Sequence, residues 1–76
     1  MTEPDLEAQA AALAAEETTL RERLRSLEDD LQSLLHGAAH ASVDHADSTE
    51  REIRKIVLRL VAIEREQIEL KIAASL

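Results

Sequence analysis

Leu6, Leu13, Leu20, Leu27 and Leu34 recur every seven residues without a miss. Placed at the d positions of a heptad, they put Ala10, Glu17, Leu24, Leu31 and Ala38 at a. A seam of period 3.5 is the signature of helices that wrap left-handed around a partner. Glu17 is the misfit in that seam, and the alanines at 8, 10–12, 14 and 15 thin its first turns. Thr2, with Asp5 three residues on, reads as a helix cap, and Pro4 suits a first turn, where its missing N–H costs little. Gly37 after His36 is the expected stop, the usual place for a left-handed C-cap. The spacing therefore predicts a helix over about 3–36.

Residues 37–46 lose the period and are expected to form a tip loop. Ile53, Ile56, Leu60, Ile63 and Leu70 then resume a three-four spacing, which predicts a second helix over 47–75. Ser42, Asp44 and Asp47 are all candidate N-caps, and Asp47 with Glu50 resembles a capping box. Two long helices joined by a short connection fold back antiparallel. Setting Leu34 opposite Thr49 aligns Leu27 with Ile56, Leu20 with Ile63 and Leu13 with Leu70. The same alignment is expected to bring Glu28, Asp29 and Asp30 towards Arg51, Arg54 and Lys55. The fold class is all-α: one domain over 1–76, an antiparallel coiled-coil hairpin.

The second helix has more apolar surface than one partner covers. Val57, Val61, Ile68 and Ile72 form a stripe beside the seam, giving an apolar arc near 200° at 100° per residue. Such a row in water marks a contact. Burial against a second copy, as a four-helix bundle, or against another protein is expected.

Composition excludes several function classes. With no cysteine there is no disulfide framework and no thiolate metal site. With no Phe, Trp or Tyr, nothing stacks on a nucleobase. The net charge of −7 opposes binding to nucleic acid or anionic membrane. No apolar run reaches the roughly 18 residues of a membrane span, and Met1–Asp5 lacks a signal peptide's basic start, so the expected compartment is the cytoplasm. The charge is uneven: residues 1–48 carry eleven acids against three bases, and residues 49–76 carry five acids against six bases. Segments of different charge suit pairing within one chain.

Candidate chemistry collects at the turn, where His36, His40, Asp44, His45 and Asp47 lie within twelve residues. His36 and His40 have metal-ligand spacing, but Gly37 between them breaks the shared helical face, and no metal or other cofactor is expected. Ser42, His45 and an acid form no hydrolase set without an oxyanion-hole loop, so no catalytic residue is assigned. A single glycine supplies no phosphate loop. Asp44 and Asp47 have two readings. They cap the second helix, or they are two carboxylates at i, i+3 on a projecting tip that probes a cation or a basic cleft.

The run Asp44-His45-Ala46-Asp47-Ser48-Thr49, followed by Glu50-Arg51-Glu52-Ile53, resembles the tip and descending helix of the DksA/TraR family. That tip reads Asp-x-x-Asp-x-Ala, and Thr49 stands where the alanine is expected. Leu20-Arg21-Glu22-Arg23-Leu24 is similar to the family's ascending helix. The family's four-cysteine zinc module and the C-terminal domain of the related Gre factors are absent. The resemblance implies a hairpin that enters the secondary channel of bacterial RNA polymerase, with Asp44 and Asp47 at the tip and Thr49 at a changed tip position.

Two functions follow as expectations. One is a non-enzymatic regulator that binds a protein partner, RNA polymerase foremost, through its acidic tip. The alternative is a structural or adaptor module, a homodimeric four-helix bundle that mediates protein–protein interaction, with Val57, Val61, Ile68 and Ile72 at the interface.

Overall fold

The computed structural model describes residues 5–37 and 43–76. Helix α1 spans Leu6–Gly37 and helix α2 spans Val43–Ser75. The described residues contain no strand, and the two helices pack along their lengths as a hairpin. The molecule measures 59 × 21 × 15 Å. Two helices of about 10 Å diameter side by side fill that cross-section, so there is no third layer.

Asp5 opens α1. Its Oδ1 accepts from the Glu7 and Ala8 N–H groups at 3.0 and 3.2 Å, and its carbonyl accepts from the Gln9 N–H at 3.0 Å. Asp5 is thus the N-cap, and it satisfies two amides that have no partner within the helix. Thr2, expected in that role, and Pro4, expected in the first turn, lie outside the described residues. Gly37 is the last residue of α1 and lies within the helix, without a positive φ, so the left-handed C-cap expected there is not formed.

Helix α2 begins four residues before its expected start at 47. Val43–Ala46 belong to the helix and not to a loop, and Asp47 lies a turn inside instead of capping it. Over residues 43–46 the loss of the seven-residue period was not a loss of helix. Asp44 in the first turn complements the helix dipole, and Ala46 is a strong helix former. Ser42 and His40 lie outside the described residues.

The seam follows the predicted positions. Leu27, Leu60 and Ile63 are buried, with Ile63 at 0% exposure, and Leu13, Leu20, Leu24, Leu31, Leu34, Ile53, Ile56 and Leu70 are half-buried. Glu17 is not left alone among them. Gln67, at the matching seam position of α2, donates from Nε2 to Glu17 Oε1 at 3.1 Å. Arg21 donates from Nε and Nη2 to Glu17 Oε2 at 3.0 and 2.9 Å. The charged misfit is therefore one half of a polar layer.

Charge pairs fix the register along one edge of the seam. Arg59 meets Glu16 through Nε and Nη2 at 2.7 and 2.8 Å, and Arg23 Nη2 meets Glu52 at 3.1 Å. A step of seven up α1 answers a step of seven down α2, and the polarity reverses between the two pairs. A slip of one heptad would set Glu16 against either Glu52 or Glu66, and the second slip would also oppose Arg23 and Arg59. Both slips place like charges together, which disfavours them.

The expected pairing of Glu28, Asp29 and Asp30 with Arg51, Arg54 and Lys55 is not formed: no ion pair joins them among the described residues. Arg51, Arg54 and Lys55 occupy outer heptad positions of α2, turned away from the seam and exposed. Agreement of charge along the sequence was not agreement of face.

Candidate interaction surface

Val57, Val61, Ile68 and Ile72 are exposed at 43, 54, 57 and 58%, and Leu58 stands beside them at 65%. Helix α1 does not cover them. Their spacing of four, seven and four residues confines the first four to an arc of about 60° on α2. The stripe runs about 22 Å along the helix at 1.5 Å per residue. On α1 the exposed large apolar side chain is Leu35, far from this stripe in sequence and near the tip.

The total accessible surface is 6166 Å². A compact folded chain of 8.4 kDa exposes about 4,600 Å². Two long helices held by one seam leave the excess, and part of that excess is the α2 stripe. At the open end of the hairpin a shallow groove of about 380 Å³ is lined by Leu6, Glu7, Ala10, Gln67, Leu70, Lys71 and Ala74. Ala10 and Ala74 are the reason for it: two methyl groups stand where seam leucines would fill the space.

Charged groups border the stripe. Glu64 and Lys71 line one edge and Arg65 and Glu69 the other, all exposed. Glu64 lies 3.9 Å from Arg21, a long contact between two solvated groups. Arg65, Glu69 and Lys71 form no ion pair among the described residues.

Electrostatic perturbations are found where the two helices meet. The Arg59 hydrogen bonds hold the Glu16 carboxyl below its ordinary range, and Glu16 in return raises the Arg59 guanidinium. The Gln67 hydrogen bond, then that from Arg21, lowers Glu17. These carboxylates are held ionised by their partners, which suits structural pairing and not proton transfer.

At the tip, Asp44 and Asp47 are exposed on the first turns of α2, so both carboxylates reach solvent at the end of the rod. Thr49 is 6% exposed, and its hydroxyl donates to the His45 carbonyl at 3.0 Å. Its burial agrees with the alignment that sets it opposite Leu34, and leaves little of it to meet a partner as the tip residue the resemblance implies. Among the described residues no group of three or more His, Cys, Asp or Glu side chains is placed to hold a metal ion. Among the same residues no helix is long and apolar enough to cross a membrane.

Gln67 and the Arg59–Glu16 and Arg23–Glu52 pairs went unmarked in the sequence reading. The signal for the pairs was available: acids and bases at the edge positions of both heptads, matched in antiparallel order. No family model matches the chain, and no curated protein or solved structure is similar to it. Nothing in these comparisons identifies a DksA/TraR-like family, and that resemblance rests on the sequence of the tip.

Proposed function

We propose that the chain is a non-enzymatic interaction module, a helical hairpin that associates with a second copy of itself through the outer face of α2. The observation that carries this reading is the exposed row Val57, Val61, Ile68 and Ile72 on an otherwise completed coiled coil. Each β-branched side chain removed from water contributes roughly 1.5–3 kcal/mol when fully buried, so covering the row is the largest gain left to the molecule. The hairpin's own seam uses other residues, and covering the row does not require it to reopen.

Sedimentation across the micromolar range tests the reading. Wild type is expected to form a dimer or larger species, and Val61→Glu with Ile68→Glu is expected to return it to monomer. A wild type that stays monomeric throughout, or an assembly indifferent to both charges, overturns it.

A second reading is supported by the exposure of both Asp44 and Asp47 at the hairpin's end. Here the tip is a probe for a basic or cation-bearing cleft, with bacterial RNA polymerase as the partner that the tip resemblance implies. Thr49 contributes packing in that arrangement. The test is a reconstituted bacterial transcription reaction with wild type and Asp44→Asn/Asp47→Asn. Asparagine keeps helix-start propensity while removing charge. The reading requires an effect of wild type that the double variant loses, and it falls if wild type has none.

A further inference from the structure

We infer that the second copy docks antiparallel, α2 against α2, about a two-fold axis passing between residues 66 and 67. This inference rests on the self-association reading and adds the partner's orientation and register. In a two-fold contact each residue meets a different one, and the reciprocal contact repeats it. About this axis Val61 meets Ile72 of the second copy, and Ile68 lies beside the axis near its own equivalent.

The border charges select this arrangement. In an antiparallel pair, side chains on one edge of a helix meet side chains on the corresponding edge of its neighbour, as Glu16 with Arg59 and Arg23 with Glu52 do within the hairpin. Along one edge of the stripe, Arg65 reaches Glu69 of the second copy. Along the other, Glu64 reaches Lys71 of the second copy. Symmetry doubles both, giving four opposite-charge contacts around an apolar strip. Three of these four residue types, Arg65, Glu69 and Lys71, make no ion pair within the hairpin among the described residues.

The limits of the stripe argue the same way. Towards the tip the same face of α2 continues as Arg54, Glu50 and Asp47, all exposed. A parallel pair would bring Glu50 against its own equivalent and crowd two acidic tips, a like-charge cost on both counts. In the antiparallel pair those residues extend past the end of the second copy's helix α2. The contact then uses residues 57–76, about 30 Å of helix.

Cysteine scanning tests the orientation on the whole chain, which carries no cysteine of its own. A disulfide needs Cα atoms roughly 4.4–6.8 Å apart. Val61→Cys or Ile72→Cys alone sets its equivalents about 16 Å apart along the axis and is expected to stay unlinked. An equimolar mixture of those two variants is expected to link on mild oxidation. In a parallel dimer each variant would link to itself, and that result overturns the inference.

A charge exchange gives a second readout at residues outside the hairpin seam. Arg65→Glu or Glu69→Arg alone is expected to weaken dimerisation about tenfold, since symmetry reverses two contacts at once. The double exchange Arg65→Glu/Glu69→Arg is expected to restore it to within about threefold of wild type. Failure of the double exchange to restore affinity overturns the register. A wild type that never dimerises sinks the self-association reading itself, whereas a dimer with the parallel cross-linking pattern sinks only the antiparallel orientation.

Discussion

Gln67 crosses the seam to donate its Nε2–H to Glu17 Oε1 at 3.1 Å, in a position where the heptad otherwise presents apolar side chains. Arg21 holds the other carboxylate oxygen from one turn above on the same helix. A polar layer in a coiled coil trades stability for a specified alignment. Replacing both residues, Glu17→Leu with Gln67→Leu, is expected to raise the melting temperature by roughly 5 °C. Circular dichroism melting at one fixed protein concentration checks this. A lower melting temperature would show that the layer stabilises the fold outright.

Acid should loosen the seam through its lowered carboxyls. Glu16 and Glu17 both titrate below their ordinary value of 4.5 in the folded chain. Between the folded and unfolded values the unfolded state binds more protons, so stability rises with pH. Their contribution is present above 4.5 and is lost as pH falls through the folded values. Thermal melts from neutral pH downward should therefore decline more steeply for wild type than for Glu16→Gln/Glu17→Gln. The comparison is needed because protonation also relieves the net negative charge of both proteins, which is −7 in wild type and smaller by the two replaced glutamates in the variant. Parallel curves would contradict the assignment.

The edge pair Arg23–Glu52 allows a clean exchange, because neither residue forms another ion pair among the described residues. Arg23→Glu opposes two acids and is expected to lower the melting temperature by roughly 3 °C. Arg23→Glu with Glu52→Arg should recover most of that loss. If the double variant remains as unstable as the single, the pair does not set the alignment.

Ile63 has no exposed surface. Truncation to alanine removes three carbons from the best-packed point of the seam and is expected to cost about 3 kcal/mol. In a hairpin with three buried hydrophobic side chains among the described residues, that is enough to unfold much of the population at 37 °C. Ala62→Ser, next to it in sequence but half-buried, serves as a control with little expected effect. Equal losses at both positions would show that burial is not concentrated at Ile63.

The seam was legible because its signal is repetitive. Five leucines at an unbroken interval of seven leave one face to bury and one period to bury it with. The exposed row from Val57 to Ile72 was legible for the same reason, as a second stripe with no counterpart on α1. The start of α2 was not, because Val43–Ala46 form helix although they carry none of the seven-residue leucine period that the reading followed. Glu17 was visible as an exception, but Gln67 was not visible as its partner: glutamine carries no hydrophobic mark at a seam position. The acidic block Glu28–Asp30 misled because three adjacent residues point in three directions on a helix, and net charge along a segment ignores that. Thr49 had two readings, a changed tip position from the resemblance and a seam position opposite Leu34 from the alignment, and its burial agrees with the second.

Burial along the rod is unequal. Leu27, Leu60 and Ile63 hold the middle, while the end carrying Ala10 and Ala74 is open enough to leave a groove. A rod built this way is expected to behave like a zipper with teeth missing at its open end: backbone amides of residues 6–14 and 67–75 should exchange with solvent through local fraying, and those near the middle only when the hairpin opens as a whole. The half of α2 proposed to meet a second copy includes that fraying end. Docking there would tie down the segment that one chain holds least firmly, so amide protection in the last three turns becomes a function of protein concentration.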